Sequence, residues 1–124
     1  MENKMNIGYQ GTPGSYSEQL LKTIFSDSLY QPCETFSSLI DFASKSGNFG
    51  LLPVENSIAG TVNEAYEELI ESELSIYGEY IKKIKHSLIA LPESSLELIS
   101  NVISHPQALQ QCSKYLQKNN FKIT

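Results

Sequence analysis

The sequence contains no arginine, and all nine of its basic residues are lysines. Asp and Glu outnumber them at 14, giving a net charge of −5, and this argues against nucleic-acid binding because a phosphate-binding surface needs a basic stripe. The one basic cluster, Lys82, Lys83 and Lys85, is typical of a solvated face. An anionic ligand would therefore be held mainly by backbone N–H groups, helix N-termini, hydroxyls and amides.

Cysteine and histidine are also scarce, with two of each. Cys33 and Cys112 lie far apart and lack metal-ligand spacing, which favours free thiols over a disulfide in a reducing compartment. His86 and His105 are isolated, so we expect no metal site. No apolar run approaches the length of a membrane span, and the stretch 1–6 lacks the apolar core of a secretory signal. The expectation is a cytoplasmic protein that binds no membrane.

Strand-like and helix-like segments alternate along the chain. The pattern predicts strands at 5–10, 28–34 and 48–55, with helices after Ser15, over 35–46 and from residue 62 onward. Beyond Leu74 it predicts two extended segments, a turn or short helix at 95–99, a strand entering a loop over 101–107, one helix from Pro106 and a final strand at 121–124. This alternation indicates an α/β fold with a mainly parallel sheet.

Two of the predicted helices begin with the pattern of a capping box. Ser15 with Glu18, and Thr61 with Glu64, have the spacing at which a hydroxyl and a carboxylate satisfy helix N–H groups reciprocally. The glycine-rich loop before Glu18 matches neither a phosphate-binding P-loop nor the dinucleotide fingerprint. It is therefore interpreted as a strand-to-helix junction and not as a nucleotide loop.

Three polar loops, at residues 11–15, 55–61 and 104–107, fall at the carboxyl ends of predicted strands. Parallel sheets bind ligands at these ends, so the coincidence matters more than any one loop. The first loop has two readings that its residues leave open. It is either a turn that needs glycine, or a helix N-terminus where amides and the hydroxyls of Thr12, Ser15 or Ser17 hold a carboxylate.

The second loop supplies an acid, an amide and a hydroxyl together, from Glu55, Asn56 and Ser57, with Gly60 as a hinge behind them. Turn chemistry alone explains an Asn and a Gly, but it does not explain this crowding at a strand exit. The pattern favours a functional site over a simple turn.

The third loop leads into a helix that places Gln107 and Gln111 on one face near its start. With Ser104 and His105 beside them, these glutamines either line a cleft or form solvated surface. The pattern alone does not decide between the two readings.

Five blocks of the sequence together resemble the prephenate dehydratase family, which includes plant arogenate dehydratases. The blocks are "YQGTPGSYSE", "QPCETF", "LLPVENSIAGTV", "HSLIALP" and "ISHPQALQQC", and they follow the family's order and spacing from about residue 7 to about residue 116. The resemblance implies conversion of prephenate to phenylpyruvate with loss of water and carbon dioxide, in phenylalanine biosynthesis, without metal or organic cofactor. It also implies an α/β, two-lobed fold of the type II periplasmic-binding-protein kind with its active site in the cleft.

The resemblance also implies roles for individual residues. The residues that it implies to be catalytic are Glu55, Asn56, Ser104 and Gln111. Those that it implies to bind substrate are Thr12, Ser15, Ser57, Gly60, Thr61, His105 and Gln107. Amides and hydroxyls suit this reaction because they can anchor the side-chain carboxylate and protonate the departing hydroxyl without a strong charge that would retain the ring carboxylate.

The resemblance further implies a first lobe at residues 1–80 and a partial second lobe at 81–124. The family's Thr-Arg-Phe motif, returning segment and ACT regulatory domain have no counterpart in this sequence, so we expect an incomplete second lobe and a chain that is inactive or weakly active alone. The alternatives are a non-catalytic module of the same fold that binds a prephenate- or phenylalanine-like molecule, and an arogenate dehydratase. The family suggests a homodimer or larger homo-oligomer.

Overall fold

The computed structural model describes residues 4–58 and 60–124, which fall into two compact units. Unit 1 comprises Met1–Glu55 and Thr61–Lys83, and unit 2 comprises Asn56–Gly60 and Ile84–Thr124. The elements are β1 (Asn6–Gln10), α1 (Tyr16–Ile24), β2 (Leu29–Cys33), α2 (Phe36–Ala43), β3 (Asn48–Leu51), β4 (Glu55–Asn56), β5 (Gly60–Thr61), α3 (Asn63–Glu71), β6 (Asn101–Val102), α4 (Pro106–Gln111), α5 (Ser113–Lys118) and β7 (Lys122–Ile123).

Unit 1 is built on a three-stranded parallel sheet in the order β2-β1-β3. Successive residues of a strand face opposite sides, so Ile7 and Tyr9 of β1 point to one face of the sheet, where they form a buried core with Leu21 of α1. Helix α2 covers the other face, and α3 packs against α2. The predicted α/β fold with a parallel sheet is confirmed.

Two glycines on the α2 side of the sheet allow that helix to approach closely. A Cβ added at Gly8 would lie 2.7 Å from Cδ1 of Phe42 and 3.0 Å from Cδ1 of Leu39. One added at Gly50 would lie 3.1 Å from the Cβ of Ala43. The helix therefore rests on strand backbone at this point, and any larger residue would push it away.

The predicted capping box of Thr61 and Glu64 is wrong. Helix α3 begins at Asn63, and its N-cap is Val62, which makes no side-chain capping hydrogen bond. Thr61 lies in β5, and the N–H of Val62 donates to the carbonyl of Val54 at 3.0 Å. This backbone contact keeps the chain extended past Thr61, so the helix starts one residue later than the motif predicts.

Unit 2 has short elements around a two-stranded parallel sheet in which Asn101 pairs with Lys122 and Val102 with Ile123. Pro106 occupies the first turn of α4, as predicted. The single helix predicted beyond it is divided into α4 and α5 at Cys112, whose φ of −99° and ψ of 8° leave the helical range.

Residues 72–100 contain neither helix nor strand. The two extended segments predicted beyond Leu74 therefore do not pair into a sheet within the described chain. The turn predicted at 95–99 is confirmed by a hydrogen bond from the N–H of Leu98 to the carbonyl of Ser95 at 3.0 Å.

The two cysteines are free thiols, as predicted. Cys33 ends β2 in unit 1, where burial raises the pKa of its thiol, and Cys112 is half-buried in unit 2. Within residues 4–58 and 60–124, every helix is too short or too polar to traverse a lipid bilayer.

Candidate functional site

The first candidate loop, residues 11–15, connects β1 to α1 through two glycines in the left-handed region. Gly11 has a φ of 129° and Gly14 a φ of 91°, so both need glycine. The N–H of Gly11 donates to the carbonyl of Cys33 at 2.9 Å, and the N–H of Ser15 donates to the carbonyl of Thr12 at 3.1 Å. The loop is thereby attached to β2 and to itself.

The predicted capping box at Ser15 is half formed. The Oγ of Ser15 accepts from the N–H of Glu18 at 3.3 Å. The Glu18 carboxylate does not return this bond to Ser15, because the Ser15 N–H already donates to Thr12. It accepts instead from the N–H of Gly14 at 3.2 Å. The motif marks the helix start correctly but misplaces the carboxylate by one residue.

Glu18 is the buried charged residue of unit 1, and three donors surround its carboxylate. Lys22 Nζ donates to Oε1 at 2.8 Å and the Tyr9 hydroxyl to Oε2 at 2.9 Å, in addition to the N–H of Gly14. Lys22, Tyr9 and Gly14, in that order, hold the pKa of Glu18 below its ordinary value. Burial, and then the bond to Glu18, raises the pKa of Tyr9 to about 12.

These contacts decide which groups of the first loop could meet a ligand. The amides of Gly11, Gly14 and Ser15 already donate within the protein, so the hypothesis that loop amides hold a ligand carboxylate loses its donors there. The hydroxyls of exposed Thr12 and half-buried Ser15 are among the groups that can still meet a ligand carboxylate. Because the oxygen of Ser15 accepts from Glu18, its hydroxyl proton remains to be donated.

The second loop folds into the two-stranded sheet of β4 and β5. The Oδ1 of Asn56 accepts from the N–H of Ile58 at 2.9 Å. This bond fixes the orientation of the side-chain amide. Ser57 is exposed in the turn, and Gly60 has a φ of 79°, a backbone conformation suited to glycine.

Unit 2 contains a cavity of about 1240 Å³. Its lining includes Ile58, His86, Ser104, Gln111 and Cys112. The Nε2 of His86 and the Oε1 of Gln111 are 2.5 Å apart. Because an amide oxygen only accepts, Nε2 carries the proton in this pairing, and the Gln111 nitrogen is left as a donor.

His86 is the residue that the sequence analysis missed. The sequence pattern indicates only that His86 is too isolated to belong to a metal site. It does not show the pairing with Gln111, because 25 residues separate the two along the chain. The available signal was its place in the block "HSLIALP", one of the five that carry the family resemblance.

His105 and Gln107 have a local structural role. The Nδ1 of His105 accepts from the N–H of Gln107 at 3.1 Å and so caps the start of α4. Both side chains are exposed and neither lines the cavity, so their predicted role in substrate binding stays a prediction. Ser104 does line the cavity, and its N–H donates to the carbonyl of Thr124 at 3.3 Å.

The predicted site residues are divided between the two units. Unit 1 carries Thr12, Ser15, Glu55 and Thr61, and unit 2 carries Asn56, Ser57, Gly60, Ser104, His105, Gln107 and Gln111. Within unit 2, Ser104 and Gln111 meet at one cavity. No group of three His, Cys, Asp or Glu side chains that could hold a metal ion occurs in the part of the chain that the structure describes.

Comparison with known proteins adds the family. A family model described as prephenate dehydratase matches residues 7–124. Arogenate dehydratase 3, chloroplastic, of Arabidopsis thaliana is 36% identical over 122 residues, which is 98% of this chain and 29% of that protein. The bifunctional chorismate mutase/prephenate dehydratase of Aquifex aeolicus (strain VF5) is 33% identical over 121 residues, 96% of this chain and 33% of that protein.

A solved structure is also similar. The prephenate dehydratase from Staphylococcus aureus subsp. aureus Mu50 matches with a TM-score of 0.81 and 26% identity, over 97% of this chain and 47% of that one. The chain thus spans about a third or less of these two curated relatives and under half of the solved protein.

Proposed function

Because the chain belongs to the prephenate dehydratase family, carbon–oxygen lyases of aromatic amino acid biosynthesis, we propose that its protein converts prephenate to phenylpyruvate, water and carbon dioxide. The observation that carries the proposal is in unit 2. There Gln111, whose amide is paired with His86, and Ser104 both line a cavity of about 1240 Å³, large enough for a small organic acid.

The reaction needs hydrogen-bond donors more than it needs a base. Prephenate has two carboxylates and a ring hydroxyl; the hydroxyl leaves as water after gaining one proton, and the ring carboxylate leaves as carbon dioxide while its electron pair completes the aromatic ring. The Gln111 amide nitrogen and the Ser104 hydroxyl are donors suited to the departing hydroxyl. Neutral donors serve because a cation beside the ring carboxylate would stabilise the charge that must disappear.

Asn56 is proposed as a further donor. Its amide oxygen accepts from the N–H of Ile58, which orients the side chain, and the family resemblance implies a catalytic role for it. The proposal also keeps a catalytic role for Glu55 and a substrate-binding role for Ser57, Gly60 and Thr61 of the same loop and for Thr12 and Ser15 of the first loop.

The proposal includes the two-lobed arrangement of type II periplasmic-binding proteins, with residues 1–80 in the first lobe and 81–124 in part of the second. It is supported by the two compact units and by the parallel strand pairs in each. A homo-oligomeric state and a cytoplasmic location stay predictions, and the Arabidopsis relative is described as chloroplastic.

Arogenate is the second candidate substrate, because the Arabidopsis relative is named for it and the Aquifex relative for prephenate. Arogenate differs in carrying an amine where prephenate has the side-chain keto group, so its product is phenylalanine. Parallel assays with the two substrates distinguish the candidates by their products.

The experiment is an assay of two purified proteins, the 124-residue chain and the whole gene product read from start to stop codon. We expect the whole gene product to form phenylpyruvate, and the 124-residue chain to form little or none. Rapid turnover by the 124-residue chain would refute its inactivity. If the whole gene product binds prephenate by calorimetry and yields no product from either substrate, the non-catalytic binding module is correct.

Substitution separates the proposed donors from the rest of the chain. In the whole gene product, Gln111→Ala and Asn56→Ala should each lower kcat on the order of 100-fold, the effect of losing one oriented donor. Gln117→Ala is the matched control, because Gln117 is exposed on α5 and does not line the cavity. Wild-type turnover in Gln111→Ala or Asn56→Ala would refute the assignment of that residue.

A further inference from the structure

Glu18 connects the core of unit 1 to the first candidate loop through both its side chain and its backbone. We propose that Glu18 is a positioning residue, which holds residues 11–15 in the shape that presents the hydroxyls of Thr12 and Ser15 to a ligand carboxylate. The part about the ligand rests on the proposed function. The part about the loop does not.

The contacts are divided between the two carboxylate oxygens. Oε2 accepts from the Tyr9 hydroxyl at 2.9 Å, and Tyr9 is fully buried on the central strand of the sheet. Oε1 accepts from the N–H of Gly14 at 3.2 Å, in the loop itself. The carboxylate therefore bridges an immobile core residue and a loop amide, which a shorter or uncharged side chain cannot do equally well.

The backbone of Glu18 acts on the same loop from the other side. Its N–H donates to the Oγ of Ser15 at 3.3 Å, which fixes the hydroxyl oxygen and leaves the proton for a ligand. Glu18 thus contacts both Gly14 and Ser15, one through its side chain and the other through its backbone.

Packing does not hold the loop at Gly14. A Cβ built there would contact no atom within 4 Å, and the residue has a φ of 91°, at which glycine has wide conformational freedom. Hydrogen bonds therefore restrain this point of the loop: the Gly14 N–H donates to Glu18, and its carbonyl accepts from Nε2 of exposed Gln19 at 3.2 Å.

Lys22 keeps this arrangement compatible with an anionic ligand. Its Nζ lies 2.8 Å from Oε1 of Glu18, four residues along the same helix. The ion pair offsets the negative charge that would otherwise repel a carboxylate bound at Thr12 and Ser15. The Lys22 side chain is 59% exposed. We therefore infer that Lys22 balances the charge of Glu18 and does not determine the shape of the loop.

The first test needs no enzymatic activity and uses the 124-residue chain. In an acid titration followed by NMR, the Gly14 amide resonance should shift with the protonation of Glu18, at a pH below the ordinary glutamate range because Lys22, Tyr9 and Gly14 favour the carboxylate. Glu18→Gln should abolish this titration, whereas Glu68→Gln, in α3, should preserve it. A Gly14 resonance that titrates identically in Glu18→Gln would overturn the proposal.

The second test measures the consequence for substrate binding in the whole gene product. Glu18→Gln should raise KM about tenfold and leave kcat within about twofold, the signature of lost binding remote from the reacting atoms. Lys22→Met should raise KM by less than Glu18→Gln does and leave kcat within about twofold, because it loses the charge balance but retains the Tyr9 and Gly14 contacts. An equal KM increase in Lys22→Met, or a fall in kcat at unchanged KM in Glu18→Gln, would refute positioning by geometry.

Tyr9→Phe provides a variant of unchanged shape in case Glu18→Gln folds poorly. It removes the Tyr9 hydroxyl and keeps the bond to Gly14, so KM should rise by about twofold to fivefold. Wild-type KM in a folded Tyr9→Phe protein would contradict the role of the core anchor. If the wild-type gene product forms no phenylpyruvate, the proposed function fails, and the NMR titration still decides whether Glu18 holds the loop.

Discussion

Unit 1 and unit 2 both contain parallel strands and helices, yet they differ sharply in what they bury. Seven of the eight buried apolar residues of the described chain lie in unit 1: Ile7, Tyr9, Leu21, Cys33, Leu39, Ala43 and Ala65. Unit 2 buries Leu116 alone of that set. Its exposed apolar side chains include Ile89 at 87% and Ile103 at 78% exposure.

The difference follows from how parallel sheets are stabilised. Parallel strands need helices over both faces, and unit 1 meets this with α1 on one face and α2 on the other. The strands of unit 2 are two residues long, so they offer little surface for α4 and α5 to cover. We therefore expect unit 1 to hold most of the folding free energy of the chain.

The largest expected effect comes from removing one leucine from each core. Leu21→Ala in unit 1 should lower the free energy of unfolding by about 2 to 5 kcal/mol, because its site is enclosed and cannot collapse. Leu116→Ala in unit 2 should cost less than half as much. Urea denaturation followed by circular dichroism measures both, and equal costs would contradict the contrast between the units.

A smaller effect is expected from filling the space between the sheet and α2. Gly8→Ala should cost about 1 to 3 kcal/mol, because the new methyl group would meet Phe42 and the buried Leu39. Gly78→Ala, in the same unit, is the matched control. The nearest atom to its Cβ would be a Tyr80 ring carbon at 3.7 Å, so it should be neutral or slightly stabilising. Thermal unfolding measures the stability of both variants. A Gly8→Ala protein as stable as its control would show that α2 does not pack closely against the strand.

The smallest effect is a loss of stability at alkaline pH that originates in unit 1. Tyr9 ionises near pH 10 when unfolded and at about 12 when folded, so its contribution is complete below about pH 10 and is lost as the pH rises to about 12. At about pH 11 the loss should be about 1.4 kcal/mol. Tyr9→Phe should remove this part of the pH dependence. Tyr115→Phe, at an exposed position of unit 2, should retain it, and an unchanged slope in Tyr9→Phe would refute the assignment.

The sequence predicted unit 1 well because its local patterns coincide with what is buried. The spacing of Leu20, Leu21 and Ile24 indicates the inner face of α1, and the glycines at 11 and 14 mark the junction before it. The short buried strand predicted at residues 5–10 is likewise found as β1. In each case the prediction depends on residues close together in the sequence and not on a distant partner.

The parts that were not predicted depend on contacts far along the chain. Residues 74–91 have apolar residues typical of strands, but a strand forms only where a partner supplies hydrogen bonds, and sequence does not show the partner. The pairing of His86 with Gln111 was not predicted for the same reason, because sequence does not show which distant residues meet. At Thr61 the residues match a capping box, but the backbone hydrogen bond from Val62 to Val54 keeps the chain extended there and the box does not form. For the candidate site, the types of residue could be predicted from the sequence, but their hydrogen-bond partners could not.

The two free thiols have a practical consequence. A thiol reacts with an alkylating reagent as the thiolate and only where the reagent can reach it, and the chain has one cysteine in each unit. Cys33, at 7% exposure, can be alkylated only when unit 1 opens, whereas half-buried Cys112 is partly accessible in the folded chain. A time course of alkylation followed by mass spectrometry would therefore record the opening of unit 1 at Cys33, with Cys112 of the same unsubstituted chain as the internal reference.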